Sequence, residues 1–109
     1  MHTNATVTIE TGGTSATLTR DGKTMQVQLL NPPSGVQFST GPAVRSTTGP
    51  APPVPDQENP GITVLMINVP AGSATLQVLF NPQWDGMTAS DFVNPPSVAL
   101  DSWTLTSHD

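Results

Sequence analysis

Ala16-Thr17-Leu18-Thr19-Arg20-Asp21-Gly22-Lys23-Thr24-Met25-Gln26-Val27-Gln28-Leu29 reads as two strands and the turn between them. Ala16 and Leu18 alternate with Thr17 and Thr19, and Met25, Val27 and Leu29 alternate with Thr24, Gln26 and Gln28. A period of two gives each strand one apolar and one polar face. Asp21-Gly22 accepts the positive φ angles of a type I′ turn, so the two runs form a hairpin with a two-residue loop. The second run stops at Asn31-Pro32-Pro33-Ser34 because proline cannot donate to a ladder.

Working outward, residues 5–10 alternate in the same way, with Val7 and Ile9 set against Thr6 and Thr8. A short strand is expected over residues 36–39. Residues 41–61 hold six prolines, and Val44 and Val54 are the only large apolar side chains there. This stretch is expected to be a long, solvated, Pro-rich surface loop. In residues 62–69, Ile62, Val64 and Met66 point one way and Leu65, Ile67 and Val69 the other, as in a central strand covered on both sides. Residues 76–80 are again apolar on both faces and stop at Asn81-Pro82. A single helical turn is expected near Ser90-Asp91-Phe92, with closing strands at 97–100 and 103–106. The expected fold is all-β: an antiparallel β-sandwich of about seven or eight short strands. One domain over residues 1–109 accommodates it, with the loop at 41–61 as an excursion.

The chain has 109 residues, 3 Lys+Arg against 8 Asp+Glu, and a formal net charge of −5. So few cations neutralise few phosphates, so neither nucleic acid nor an anionic membrane is an expected partner. With no cysteine, disulfides, thiolate metal sites and Cys nucleophiles drop out. Low charge and many Ser, Thr, Asn and Gln residues suggest a secreted or extracellular β-domain. The start, Met1-His2-Thr3-Asn4, carries no export signal, so either the protein stays inside the cell or, the preferred expectation, the chain is a fragment whose signal lies elsewhere.

No catalytic residue is expected. His2 and His108 lie at the ends, and no Gly-x-Ser-x-Gly elbow is present. No cofactor or metal is expected either: paired His or Cys ligands are lacking, and Asp85, Asp91 and Asp101 lack the spaced loop with a glycine pivot that calcium prefers. Asn4-Ala5-Thr6 is a glycosylation sequon, meaningful only in a eukaryotic secretory route. A sugar-binding face needs exposed rings, and the chain has 2 Trp, 3 Phe and no Tyr. Trp84, in a loop after Asn81-Pro82-Gln83, is the best ring for that purpose, with Asn81, Gln83 and Asp85 as its neighbours in a carbohydrate contact group. The competing reading makes Trp84 a plug over the end of the core. Trp103 reads as core or interface, and Phe38, Phe80 and Phe92 as packing residues.

The hairpin run from Ala16 through Leu30, followed by Asn31-Pro32-Pro33-Ser34-Gly35-Val36-Gln37-Phe38, Leu65-Met66-Ile67-Asn68-Val69-Pro70 and Leu76-Gln77-Val78-Leu79-Phe80-Asn81-Pro82-Gln83-Trp84, resembles the C-terminal β-rich end of heparinase II/III-like polysaccharide lyases. The resemblance covers most of the chain outside the Pro-rich loop, and its motifs are strands and turns. Whole enzymes of that family join an α/α toroid to antiparallel β-domains and cleave uronic-acid-containing polysaccharides by β-elimination with Tyr and His. None of that machinery maps onto this chain. What the resemblance implies is a non-catalytic accessory domain that supports or extends the catalytic unit, with the toroid as its partner. Two other roles remain open: an independent carbohydrate-binding module with polysaccharide as partner, and a structural or adhesive β-module that binds a protein through an edge strand.

Overall fold

The computed structural model describes residues 1–44, 48–50, 59–91, 95–96 and 98–103. The described residues form seven strands: β1 (His2–Thr3), β2 (Thr6–Ile9), β3 (Ser15–Arg20), β4 (Lys23–Leu30), β5 (Gln37–Pro42), β6 (Thr63–Asn68) and β7 (Gln77–Gln83). They form a three-stranded sheet in the order β1-β6-β5 and a four-stranded sheet in the order β2-β3-β4-β7. All pairings are antiparallel. The architecture is the all-β sandwich expected from the alternating runs.

The hairpin sets the register of the larger sheet. Asp21 has φ 49° and Gly22 φ 73°, and Arg20 faces Lys23 directly across the two-residue loop. This register puts Ala16 opposite Val27 and Leu18 opposite Met25. The ladder then continues to β7, where Leu29 faces Val78 and Val27 faces Phe80. One face of β3 and β4 therefore supplies Ala16, Leu18, Val27 and Leu29 to the core. Val36, Phe38 and Leu65 meet them from the other layer. Each fully buried large apolar side chain contributes roughly 1.5–3 kcal/mol relative to exposure.

The layers are clasped at the β2–β3 turn. Phe38 N–H donates to the Gly13 carbonyl at 2.7 Å, and Gln37 Nε2 donates to the Gly12 carbonyl at 3.1 Å. The approach is close enough that a Cβ on Gly13, whose φ is +73°, would lie 3.0–3.1 Å from three carbons of Gln37.

Several expectations need correction. Strand β6 is central, between β1 and β5, but it is not covered on both faces. Leu65 is buried and Ile67 packs on the core, whereas Met66 is 41% exposed and Val69, past the strand end, is also exposed. The outward side of this sheet mixes Val64 and Met66 with small and polar neighbours: Met66 lies over Gly41, and Asn68 Nδ2 donates to Ser39 Oγ at 2.8 Å. Such a face tolerates water.

The Pro-rich stretch begins later than expected. Gly41 and Pro42 belong to β5 and pair with Val64 and Thr63. Ala43 is buried, and its N–H donates to the Ile62 carbonyl at 3.1 Å. Val44 is exposed; Val54 lies outside the described residues. Strand β7 does not stop at Asn81-Pro82 but runs through to Gln83. An edge strand can hold a proline because a missing N–H on the free side breaks no ladder bond.

At the C-terminal end, Leu100–Ser102 forms a 3-10 turn in place of the end of the first closing strand. Trp103 follows it at 69% exposure, so it is not the core residue that was one of its two expected roles. The second closing strand beyond Trp103, and Phe92, lie outside the described residues.

Two glycine substitutions separate backbone strain from crowding. At Gly22 a new Cβ meets nothing within 4 Å, so Gly22→Val costs only the positive φ, on the order of 1 kcal/mol or more. Gly13→Ala adds the collision with Gln37 to the same φ penalty and should cost more than Gly22→Ala. Chemical denaturation of the three variants checks this. Equal midpoints for Gly13→Ala and Gly22→Ala would show that Gln37 yields freely and that the clasp is weak.

Candidate functional site

At the end of the sandwich where the β3–β4 hairpin turns, the layers gape. An open cleft of about 460 Å³ lies there, a size typical of small-ligand sites. Leu18, Met25 and Pro82 give it apolar surface. Leu18 and Met25 are cross-strand partners, as are Met25 and Pro82. All three stand on the core-facing side of the four-stranded sheet. Thr3 and Ala5, from the link between β1 and β2, form part of the wall. Arg20, Lys23, Thr24, Gln83 and Trp84 add the polar and aromatic groups.

Trp84 is placed by the end of β7. Past Gln83 the chain bends at Asp85-Gly86, with Gly86 at φ 86°, and Met87 N–H donates to the Trp84 carbonyl at 2.9 Å. The indole is 61% exposed at the cleft. The turn is tied to the hairpin by Lys23 Nζ donating to Asp85 Oδ1 at 2.8 Å, while Arg20 Nε and Asp21 Oδ2 are 3.2 Å apart. Both ion pairs are exposed, and such pairs contribute about 0–1 kcal/mol. Their larger effect is to leave each cation with a local counter-charge. The two cations face each other across the ladder, an arrangement that would otherwise be repulsive.

Farther along the same loop, Ala89–Asp91 forms a 3-10 turn near the expected helical turn. Asp91 Oδ2 accepts hydrogen bonds from the backbone N–H and the hydroxyl of Thr88. The backbone hydrogen bond first, and the hydroxyl second, hold the Asp91 carboxyl below its ordinary value.

The four residues of the expected carbohydrate contact group separate. Trp84 and Gln83 line the cleft. Asp85 lies next to it through Lys23. Asn81 does not reach it: the side chain is only 3% exposed and stands opposite Gln26 on the other face of the sheet. Among the described residues neither Asn81 Oδ1 nor Gln26 Oε1 has a hydrogen-bond donor, although both atoms are buried. Leu18, Arg20, Lys23 and Met25 are lining residues that sequence reasoning did not single out. The register of the Asp21-Gly22 hairpin was a usable signal for Arg20 and Lys23. Among the described residues no three His, Asp or Glu side chains gather in a metal-binding group. A second hollow of about 380 Å³, at the far end of β4 between Thr14, Asn31 and Pro95, has no aromatic lining.

The Asp91 cap has a definite pH dependence. Its folded-state pKa is depressed, so its contribution is present at neutral pH and is lost only as pH falls through that lowered value. The Thr88 amide resonance should therefore shift with a midpoint below the usual carboxylate range. Asp91→Asn should abolish that step. A midpoint at the ordinary aspartate value would show that the cap does not form in solution. Neither a protein-family model nor a curated protein matches this chain.

Proposed function

We propose that this chain is a non-catalytic carbohydrate-binding module that uses the Trp84 cleft as its binding site. The observation that carries this reading is a largely exposed indole beside a ligand-sized cleft with apolar and polar lining. A pyranose presents the complementary surface: a C–H face that packs on an aromatic ring, and a hydroxyl rim that needs amide, hydroxyl and charged partners. Gln83, Thr24, Thr3 and the Lys23–Asp85 pair supply those partners around Trp84.

The role implied by the sequence resemblance, an accessory domain of a heparinase II/III-like lyase, is compatible with a binding module and is kept as a second proposal.

Isothermal titration against a panel of neutral and acidic oligosaccharides tests the principal reading. Binding should be found in at least one series, and Trp84→Ala should weaken it by about tenfold or more, as expected for a central aromatic anchor. Absence of binding to every series, or undiminished binding in folded Trp84→Ala, would overturn it. The purified chain should also release no unsaturated uronate from heparan, alginate or hyaluronan, measured by absorbance. Turnover that survives repurification would contradict a non-catalytic role.

A further inference from the structure

We infer that the ligand is an internal stretch of a linear polysaccharide lying along β7, gripped by Trp84 at one end and Phe80 at the other. The inference rests on the carbohydrate reading of the Trp84 cleft and extends that site along the strand.

Among the described strands, β7 is an edge strand paired only with β4. Its even-numbered residues Val78, Phe80 and Pro82 stand opposite Leu29, Val27 and Met25, on the core-facing side of the sheet. Leu76 and Trp84 continue the same parity just outside the strand. An alternating apolar row of this kind is normally buried, yet Phe80 is 51% exposed, Trp84 61% and Leu76 38%. The expectation that Phe80 is a packing residue is thus overturned. Val27, its direct partner, is buried. The apolar surface of the cleft therefore continues past Pro82 to Phe80.

Spacing and chemistry point to the occupant. At roughly 3.3 Å per residue, positions four apart on a strand are separated by about 13 Å. One sugar ring cannot cover both aromatic side chains, whereas several linked rings can. A protein strand is a poorer occupant, because Pro82, between the two rings, lacks an N–H and interrupts any ladder on the free edge. The groove also offers no net charge: the nearby cations Arg20 and Lys23 are each paired with an aspartate. Ring faces and neutral hydrogen-bonding groups are what this surface presents.

The test is titration calorimetry with cello-, xylo-, manno- and chito-oligosaccharides from disaccharide to hexasaccharide. For the recognised series, affinity should rise with length by about tenfold or more, a gain of the size expected from a second aromatic contact. Phe80→Ala and Phe80→Leu should both flatten that rise. Trp84→Ala should lose binding at every length. The leucine variant keeps apolar bulk without the ring, and a thermal melt of each variant confirms folding. Length-independent binding that Trp84→Ala still abolishes would overturn the extended groove and leave the carbohydrate reading standing. Length dependence that survives in both Phe80 variants would overturn Phe80 as the second platform. No binding in any of these series would overturn both readings for neutral glycans.

Discussion

The pairing of β3 with β4 through Asp21-Gly22 is the constraint on which the rest of the molecule depends. With Arg20 held opposite Lys23, the pleat sends Ala16, Leu18, Met25, Val27 and Leu29 to one side. A slip of one residue would turn the whole apolar set of one of the two strands to solvent. The same register extends to β7, which pairs with β4 from Thr24–Gln83 to Leu30–Gln77. It also sets both cations beside the cleft. Core and candidate site thus share one geometric origin, and a change that disturbs the turn disturbs both.

The two layers differ in width, and the site arises from the difference. Three strands face four. The core is densest where Ala16, Val27 and Leu18 meet Val36, Phe38 and Leu65. Toward β7 that cover thins. Val78 still packs against the core, but Phe80 on the same face is half exposed. The four-stranded sheet carries an apolar face wider than its partner layer covers. In a monomeric β-sandwich a sustained apolar strip of this kind marks an interaction surface more often than a defect. Its edge is blunted by Pro82, which lowers the risk of strand-to-strand aggregation without removing the aromatic faces.

Local patterns were readable in the sequence, and non-local ones were not. The hairpin could be read because its turn chemistry and both alternating runs lie within fifteen residues. Trp84 could be read as exposed-capable because it follows Asn81-Pro82, even though β7 runs two residues past Asn81. Phe80 and Trp103 could not be assigned by pattern. An apolar residue in an alternating run reads as core whether or not a second layer lies over it, and only the strand order reveals that β7 is an edge. Asn81 departs from its expected surroundings for the complementary reason: a polar residue next to a loop reads as exposed, but Asn81, opposite Gln26, is buried. The run from Val98 to Leu100 is too short for periodicity to separate a strand from a helical turn. There the i to i+3 bonds from Ser102 to Ala99 and from Trp103 to Leu100 decide it.

The arrangement of charge bears on what the site can recognise. A chain with formal net charge −5 repels polyanions at long range, and placing Arg20 and Lys23 together could in principle have made a local exception. Asp21 and Asp85 counter that exception, each within ion-pair distance of its cation. The pairs are exposed and cheap to rearrange, so a hydroxyl or carboxylate can compete for Lys23 at short range. They still supply little attraction from a distance, since opposite charges so close together largely cancel beyond a Debye length. Recognition at this cleft therefore depends on contact: on how much ring surface Trp84 offers, how well Leu18, Met25 and Pro82 exclude water beneath it, and how far along β7 the ligand can extend.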